Sequence, residues 1–283
     1  MHITKYLLEN KVRLDIPMAL VKESEDKLAL RIYMSCLLYE DTIRPRPYSL
    51  KDIADDAELF PGKKITKKML EKVRAAVDYL DTRGYITIDQ GGTVPFEGDV
   101  KKVVLTYQVH DFLEWKTCEK YFMQIEAKEC MKLLSLAADI DMNKCGVSSL
   151  NVLRVYLLAK RNCYFWQQGY KEQLPVFNGP FASLGTERNL NITNRTIMMA
   201  IDALEAAGAV SALYGVRDNA VFEADEAEDK GRYSRTSVAI FKWTNDWETE
   251  GEVIALKAKQ RINEINGAPY RWIPRSHTIK RRK

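Results

Sequence analysis

The chain has 283 residues, of which 46% are hydrophobic and 10% aromatic, and its formal net charge is only +4. This composition is typical of a globular protein with enough apolar residues to form buried cores, so it excludes a wholly disordered chain. No stretch approaches the roughly 20 consecutive apolar residues of a membrane span, and the N-terminal segment lacks the apolar core of a signal peptide. We therefore expect a cytoplasmic protein without membrane contact.

The five cysteines form neither a disulfide framework nor a zinc-binding pattern. Their number is odd and no CxxC pair occurs, whereas structural zinc sites usually contain such pairs. We therefore expect reduced and mostly buried thiols. The positions concerned are Cys36, Cys118, Cys130, Cys145 and Cys163.

The first hundred residues predict three helices followed by a two-stranded hairpin. Residues 27–41 show helical spacing of apolar side chains, and Ser49 with Asp52 three residues later predicts a capped second helix. Thr66 is placed to cap a third helix, whose apolar stripe includes Leu70 and Val77. Gly84 suits the left-handed position after that helix. Residues 85–88 and 101–109 then have the composition of strands.

The next segment, residues 111–140, contains no proline or glycine and shows helical periodicity. We therefore expect a helical linker rather than a flexible tether. Its large apolar side chains have two interpretations: packing within a core, which is the commoner role, or a surface that joins the modules or forms a dimer. They include Trp115, Tyr121, Phe122 and Leu133.

The second half of the chain repeats the first. LRIY at residues 30–33 corresponds to LRVY at 153–156, and residues 73–86 correspond to 197–210. The separation between Tyr33 and Gly84 is 51 residues, and that between Tyr156 and Gly208 is 52. Because apolar periodicity alone would not preserve this separation, we infer a structural repeat.

The elements of the second copy follow the same order. Residues 150–161 predict its first helix, and Thr193 is placed to cap the helix that ends before Gly208. Prolines and glycines between 175 and 180 leave the equivalent of the second helix undefined. Residues 209–214 and 237–243 predict the hairpin. A further helix at 247–265 is followed by a basic tail that contains Arg271 and Trp272.

The pattern of both copies resembles that of winged helix-turn-helix proteins. It is carried by Val77, Leu80, Gly84 and Ile86 in the first copy and by Ile201, Leu204, Gly208 and Val210 in the second. Residues 16–38 also resemble the opening of helix-turn-helix domains of phage and plasmid proteins, and two such domains in tandem are similar to plasmid replication initiators. The resemblance implies an α+β, mainly helical fold with two winged-helix domains joined by a helical linker.

The expected organisation has four parts. Residues 1–110 form a winged-helix domain with an N-terminal extension, and 111–146 form the helical linker. Residues 147–245 form the second winged-helix domain, and 246–283 form a C-terminal helix and basic tail. The resemblance implies sequence-specific binding to double-stranded DNA in plasmid or phage replication initiation or in transcription regulation.

The local charges support a nucleic-acid partner. Residues 60–75 contain six basic side chains against one acid, and residues 257–283 contain nine against one. In helix-turn-helix docking the start of the recognition helix enters the major groove while flanking cations hold phosphates. Asn and Arg side chains can make bidentate contacts to adenine and guanine. The candidate DNA-binding residues are Lys63, Lys64, Lys67, Lys68, Lys72, Arg74, Lys101, Lys102, Thr193, Asn194, Arg195 and Arg235.

Other interpretations stay open. The basic side chains are also typical of a solvated surface, and the tail after residue 270 could track phosphates or only aid solubility. The acidic run at residues 222–229 would be repelled by phosphate, so it suits a protein partner. Tandem winged helices also serve as protein-interaction subunits of chromosome-organising or partition complexes, and a homodimer is a further alternative.

Catalytic motifs are nearly absent. The three histidines are far apart, and PGKKIT at residues 61–66 lacks the residues that a phosphate-binding loop requires. Glu126, Ala127 and Lys128 have the spacing of a nuclease ExK motif, but we expect them on a helix without an acidic partner. We therefore expect no enzymatic activity and no cofactor or metal, and a cryptic nuclease stays the third hypothesis.

Overall fold

A computed structural model describes residues 13–24, 26–39, 48–89, 104–109, 122–166, 174–217, 235–265 and 270–274. The fold is α+β and mainly helical. The chain divides into two compact units, residues 1–153 and 154–283. No helix within the described ranges is long and apolar enough to cross a membrane.

The first unit contains five helices, five strands and the start of a sixth helix among its described residues. In chain order they are β1 (Arg13–Pro17), α1 (Met18–Glu23), α2 (Ala29–Tyr39), β2 (Tyr48–Ser49), α3 (Leu50–Asp56), α4 (Lys67–Thr82), β3 (Ile86–Asp89), β4 (Val104–Val109), β5 (Phe122–Glu126), α5 (Ala127–Asn143) and α6 (Ser149–Trp166). The division between the units falls within α6, whereas the sequence predicted it between residues 146 and 147.

Local sequence signals account for the start and end of the helices. The Ser49 hydroxyl accepts a hydrogen bond from the Asp52 amide, and the Asp52 carboxylate accepts one from the Ser49 amide at 2.8 Å. Thr66 caps α4 by accepting from the Met69 amide. Gly84 follows α4 with a φ of +71°, in the left-handed region that favours glycine. These three sequence predictions are confirmed.

Two antiparallel sheets form in the first unit. The larger has the strand order β2-β4-β3, so β4, the last of the three in chain order, lies between the other two. In the other sheet β1 pairs with β5, and Arg13 lies opposite Glu126. The prediction of helix throughout residues 111–140 is therefore wrong for 122–126, while residues 111–121 lie outside the described ranges. Met123 and Ile125 are buried and alternate with less buried neighbours, which is the period of a strand.

The core of the first unit is built around α2. Its residues from Ala29 to Cys36 are all buried, which places α2 at the centre of the unit rather than on its surface. The ring of Tyr33 meets that of Tyr85 edge to face, with 6.0 Å between centroids. Buried side chains of α4 and α5 complete the core, among them Leu70, Val77, Leu80, Leu133 and Ala137.

The second unit contains most of α6 and then repeats the order of the first. Its further elements are β6 (Val176–Asn178), a 3₁₀ helix (Phe181–Gly185), α7 (Asn194–Ala206), β7 (Val210–Arg217), β8 (Arg235–Phe241), α8 (Asn245–Ile265) and β9 (Tyr270–Pro274). The 3₁₀ helix occupies the position that α3 has in the first unit. Thr193 caps α7 and Gly208 follows it with a φ of +69°, as the sequence predicted.

The four-stranded sheet of this unit has the order β6-β8-β7-β9. Strand β9 pairs antiparallel with β7, with Gly215 opposite Trp272. The prediction of a basic tail after the C-terminal helix is therefore wrong for residues 270–274. Arg271 and Trp272 belong to a strand, and Trp272 packs against the apolar cluster beneath α8.

Both faces of this sheet are covered. On one face Tyr156 of α6 meets Phe241 edge to face, with 5.0 Å between ring centroids. On the other face α8 packs through Ala258 and Ile262 against side chains of β6 and β8. The central strand β8 is consequently buried from Val238 to Phe241, without the alternation of a half-exposed strand.

The described cysteines form no disulfide bonds. Cys36, Cys130 and Cys163 are buried and Cys145 is exposed, while Cys118 lies outside the described ranges. Burial, with Glu129 nearby, raises the pKa of the Cys130 thiol. Buried thiols of this kind behave as small apolar side chains.

Candidate nucleic-acid interface

The basic cluster of the first unit lies at the exposed N-terminal end of α4. Its lysines are exposed and stand in the turn before the helix or on its outer face; they are Lys63, Lys64, Lys67, Lys68 and Lys72. The opposite face of α4 is buried through Leu70, Val73, Ala76, Val77 and Leu80. The prediction that Lys67, Lys68 and Lys72 lie on this helix away from its apolar stripe is confirmed.

The electrostatics of this cluster are unfavourable for the isolated helix. The N-terminal end of a helix carries a partial positive charge and favours acidic side chains. The first turn of α4 instead contains Lys67 and Lys68 and no acid. Of its acids, Glu71 lies in the second turn beside the lysines, and Asp78 and Asp81 lie in the C-terminal half. Positive charge from the side chains and from the helix end is thus concentrated at one exposed point, which suits an anion.

Arg74 differs from the lysines. Its Nε lies 3.7 Å from the Asp78 carboxylate, one turn further along the helix. Burial and the neighbouring Asp81 raise the pKa of Asp78, while Arg74 lowers it. Arg74 is therefore engaged with the helix itself and is a weaker candidate for phosphate contact than the lysines.

In the second unit the candidates Thr193, Asn194 and Arg195 lie together at the start of α7. All three are exposed. The Thr193 hydroxyl accepts a hydrogen bond from the Thr196 amide at 3.2 Å, so it acts as the helix cap. Asn194 and Arg195 occupy the first two helical positions, which correspond to Lys67 and Lys68 of α4.

The outer face of α7 is otherwise not basic. Beyond Thr196 its half-exposed positions include Met198, Met199 and Asp202, where α4 has Glu71, Lys72 and Ala75. The two units thus present different chemistry from equivalent helices. Cations dominate the first surface, and one arginine beside apolar and acidic side chains forms the second.

Several candidates fall where the structure gives no description. Lys101, Lys102, the acidic run 222–229 and residues 275–283 lie outside the described ranges. Arg235 is the first residue of β8, opposite Val216 of β7, and only its backbone is described. Glu126 ends β5 and precedes α5, so the expectation that the whole ExK triplet is helical is wrong for its first residue.

Sequence reasoning missed two arginines, of which the first is buried and the second half-buried. Arg31 and Arg154 occupy the same place in the two copies of the Leu-Arg-x-Tyr sequence. Arg31 is 1% exposed and donates to the backbone carbonyl of Glu58, in the turn between α3 and α4. Arg154 donates to the carbonyl of Leu190 at 3.2 Å, in the turn before α7.

The two turns also share a backbone conformation. Glu58 has a φ of +50° and Asn191 a φ of +49°, which non-glycine residues rarely adopt. Arg31 further contacts the Asp141 carboxylate at 2.5 Å. Burial lowers the pKa of both arginines, and Asp141 opposes this for Arg31. These arginines therefore position the turns that lead into α4 and α7, and their repetition in LRIY and LRVY was the signal available in the sequence.

No group of three or more metal-ligating side chains is found within the described parts of the chain. Comparison of the chain with protein-family models, with curated proteins and with solved structures gave no match.

Proposed function

We propose that the chain is a sequence-specific double-stranded DNA-binding protein, similar to plasmid or phage replication initiators or transcription regulators. The observation that carries the proposal is the exposed lysine cluster at the N-terminal end of α4, where the free energy of the helix alone would favour acids. A protein gains nothing in stability from this arrangement, whereas a phosphate backbone would bind to it.

The element order supports two winged-helix domains. In each unit a buried first helix is followed by a short strand, a short helix and a second long helix, and then by two antiparallel strands. In each unit the short strand pairs with the second of those two strands, which gives the orders β2-β4-β3 and β6-β8-β7. In this interpretation α4 and α7 are the recognition helices.

The proposal assigns different tasks to the two helices. Lys63, Lys64, Lys67, Lys68 and Lys72 would hold phosphates, which supplies affinity without sequence preference. Asn194 and Arg195 would read base edges in the major groove. Neither task needs a metal, a nucleotide or a catalytic group.

A protein-interaction role for the second unit is the second candidate function. The observation that favours it is the outer face of α7, where Met198 and Met199 stand beside Asp202 instead of further cations. Half-exposed methionines suit an adaptable apolar contact, and an acid opposes phosphate. The first unit would then bind DNA and the second a protein.

The deciding experiment is fluorescence anisotropy of the full chain on a selected duplex and on a scrambled duplex, at several salt concentrations. Replacement of Lys67, Lys68 and Lys72 together by alanine should weaken binding to both duplexes. It should also reduce the slope of log K against log salt concentration by up to about three, because each lost phosphate contact removes about one released counterion. The matched control replaces Lys27, Lys128 and Lys132 by alanine, which changes the net charge equally away from α4.

Replacement of Asn194 or Arg195 by alanine should cost about 1 to 3 kcal/mol on the selected duplex and little on the scrambled one. If the α4 triple variant binds each duplex with the same affinity as wild type, the lysines are only a solvated surface. If instead only the Asn194 and Arg195 variants behave like wild type, the protein-interaction role of the second unit is favoured.

A further inference from the structure

Large apolar side chains are exposed at three positions in the described part of the chain. They are Met142 of α5, 50% exposed, and Val253 and Leu256 of α8, 50% and 58% exposed. Val253 and Leu256 are three residues apart, so they are neighbours on one face of α8. Two of the three exposed apolar side chains thus form one patch at the middle of the longest helix.

This patch lies opposite the face that α8 uses within its own unit. Ile254, Ala258 and Ile262 are buried and follow one another at intervals of four residues. Ala258 and Ile262 pack against the sheet formed by β6, β7 and β8. At 100° per residue, the directions of Val253 and Leu256 point away from that sheet. The packing of α8 within the second unit therefore leaves Val253 and Leu256 exposed to solvent.

The charges along α8 are divided between its two halves. The N-terminal half contains Glu248, Glu250 and Glu252 and no base between residues 246 and 252. The C-terminal half contains Lys257, Lys259 and Arg261 against one acid, Glu264, which forms an ion pair with Arg261 at 2.6 Å. Two copies of such a helix attract each other when they lie antiparallel and repel each other when they lie parallel.

We propose that α8 pairs with α8 of a second copy of this chain, in an antiparallel arrangement centred between Ala255 and Leu256. This inference does not depend on the proposed DNA binding. Val253 and Leu256 of both copies would form the apolar centre of the contact. Glu252 lies on one flank of the patch, and Lys259, two turns further on, lies on the same flank. The dyad sets Glu252 of each copy opposite Lys259 of the other.

The length of the helix limits the strength of this dimer. Glu250 has a non-helical φ of −131°, so α8 is straight only from Gly251 onward. An antiparallel pair centred between Ala255 and Leu256 then overlaps only over residues 251–260, a contact of about 15 Å. Fewer than three helical turns of each copy bury less surface than the roughly 800 Å² per partner of a standard stable interface. The dimer is therefore weak and in concentration-dependent equilibrium with the monomer.

The test is sedimentation velocity of the full chain from about 1 to 200 μM, concentrations that span micromolar association. Wild type should pass from monomer to dimer over this range. Leu256→Glu should abolish the dimer, because it places a charge in the apolar centre. Met142→Glu, the same change at the other exposed apolar position, should leave the dimer unchanged. Circular dichroism of each variant verifies that it is folded.

A charge exchange tests the antiparallel register. Glu252→Lys sets two pairs of like charges opposite each other, and Lys259→Glu does the same with the opposite sign. Each should weaken dimerisation about tenfold, and the double variant should restore it to within about threefold of wild type. A monomeric wild type at every concentration overturns the proposal. A dimer that survives Leu256→Glu, or a double variant as weak as the single ones, does so equally.

Discussion

The carboxylate of Asp81 accepts a hydrogen bond from the backbone N–H of Ile88 at 3.0 Å, which ties the end of α4 to strand β3. The second unit has the same relationship: Glu205 at the end of α7 accepts from the N–H of Ala212 in β7 at 2.9 Å. In both units seven residues separate acceptor and donor. The two helices therefore meet the following strand in the same way, although their outer faces differ.

Removal of the Asp81 carboxylate should loosen this junction. Asp81→Ala leaves the Ile88 N–H at the edge of the sheet without its acceptor, and we expect a loss of about 1 kcal/mol in the free energy of unfolding. Asp81→Asn keeps a side-chain oxygen and should lose less. Urea unfolding measures both values. Equal stability of wild type and Asp81→Ala would mean that water replaces the carboxylate at no cost.

Replacement of Arg31 and of Arg154 should lower the free energy of unfolding by unequal amounts. Arg31→Met removes the donor to the Glu58 carbonyl and the partner of Asp141, so we expect a loss of roughly 2 to 4 kcal/mol. Arg154 is less buried, and Arg154→Met should cost roughly 1 to 2 kcal/mol by loss of the bond to Leu190. Chemical denaturation of the full chain compares the two. The idea fails if Arg31→Met is the milder change.

Asp56 predicts how the stability of the first unit depends on pH. Its side chain is 5% exposed, and its Oδ1 has no hydrogen-bond partner among the described residues. Burial, and then the charges of Asp52 and Asp55, raise the pKa of this carboxyl to about 7 from its ordinary 3.8. Between these values the folded chain holds a proton that the unfolded chain has released. The contribution of Asp56 to stability therefore falls as pH rises from about 4 to about 7, and stays low above that.

Replacement of Asp56 by asparagine isolates this effect. Asp56→Asn removes the charge at nearly constant shape, so the variant should be more stable than wild type at pH 8, on the order of 2 to 4 kcal/mol. At pH 4 the two should be nearly equal. Thermal unfolding from pH 4 to pH 8 gives both curves. A variant that is less stable than wild type at pH 8 would show that the ionised carboxylate is stabilised in the fold.

Elements with local signals could be predicted from the sequence, and elements with distant partners could not. Thr66, Thr193, Gly84 and Gly208 act on the helix to which they belong, so their neighbours in the chain determine their role. Strand β5 pairs with β1, more than a hundred residues away, and the apolar residues of the following helix obscured its alternation. Strand β9 was missed because pairing with β7, not its own five residues, makes it a strand.

In the candidate site, too, the sequence predicted roles set by neighbours in the chain but not roles set by distant contacts. The lysines before and in α4 were identified because exposure of a helix face follows from apolar periodicity. The roles of Arg31 and Arg154 depend on carbonyl groups 27 and 36 residues away, which no local pattern specifies. Their repetition indicated importance, but an arginine within an apolar helix gave no indication of which group it contacts.

Gly185 predicts where the second unit does not tolerate a side chain. A Cβ at this position would collide with the backbone carbonyl oxygen of Ile192, whose own amide donates to the Gly185 carbonyl at 3.2 Å. Gly185→Ala must therefore displace backbone in the turn before α7, at a cost of about 1 to 3 kcal/mol. Gly251→Ala is the matched comparison, because its Cβ would approach only the Trp247 ring, at 2.8 Å.

Displacement of a side-chain ring costs less than displacement of backbone, and alanine is favoured over glycine in a helix by about 1 kcal/mol. Gly251→Ala should therefore change the midpoint of thermal unfolding much less than Gly185→Ala does. Equal losses for the two variants would contradict the assignment of a close backbone approach to Gly185.

Charge reversal at the start of α4 separates the stability of the helix from its proposed function. Glutamates at positions 67 and 68 would meet the positive end of the helix, so Lys67→Glu with Lys68→Glu should stabilise the fold by about 0.5 to 2 kcal/mol at low salt. The same variant should lose DNA binding at all sequences, since two phosphate contacts become repulsive. Thermal unfolding and fluorescence anisotropy on one preparation provide both readouts. A general structural defect would lower stability and binding together, whereas a function that opposes stability moves them in opposite directions. Unchanged DNA affinity in a stabilised variant would remove the lysine cluster from the interface.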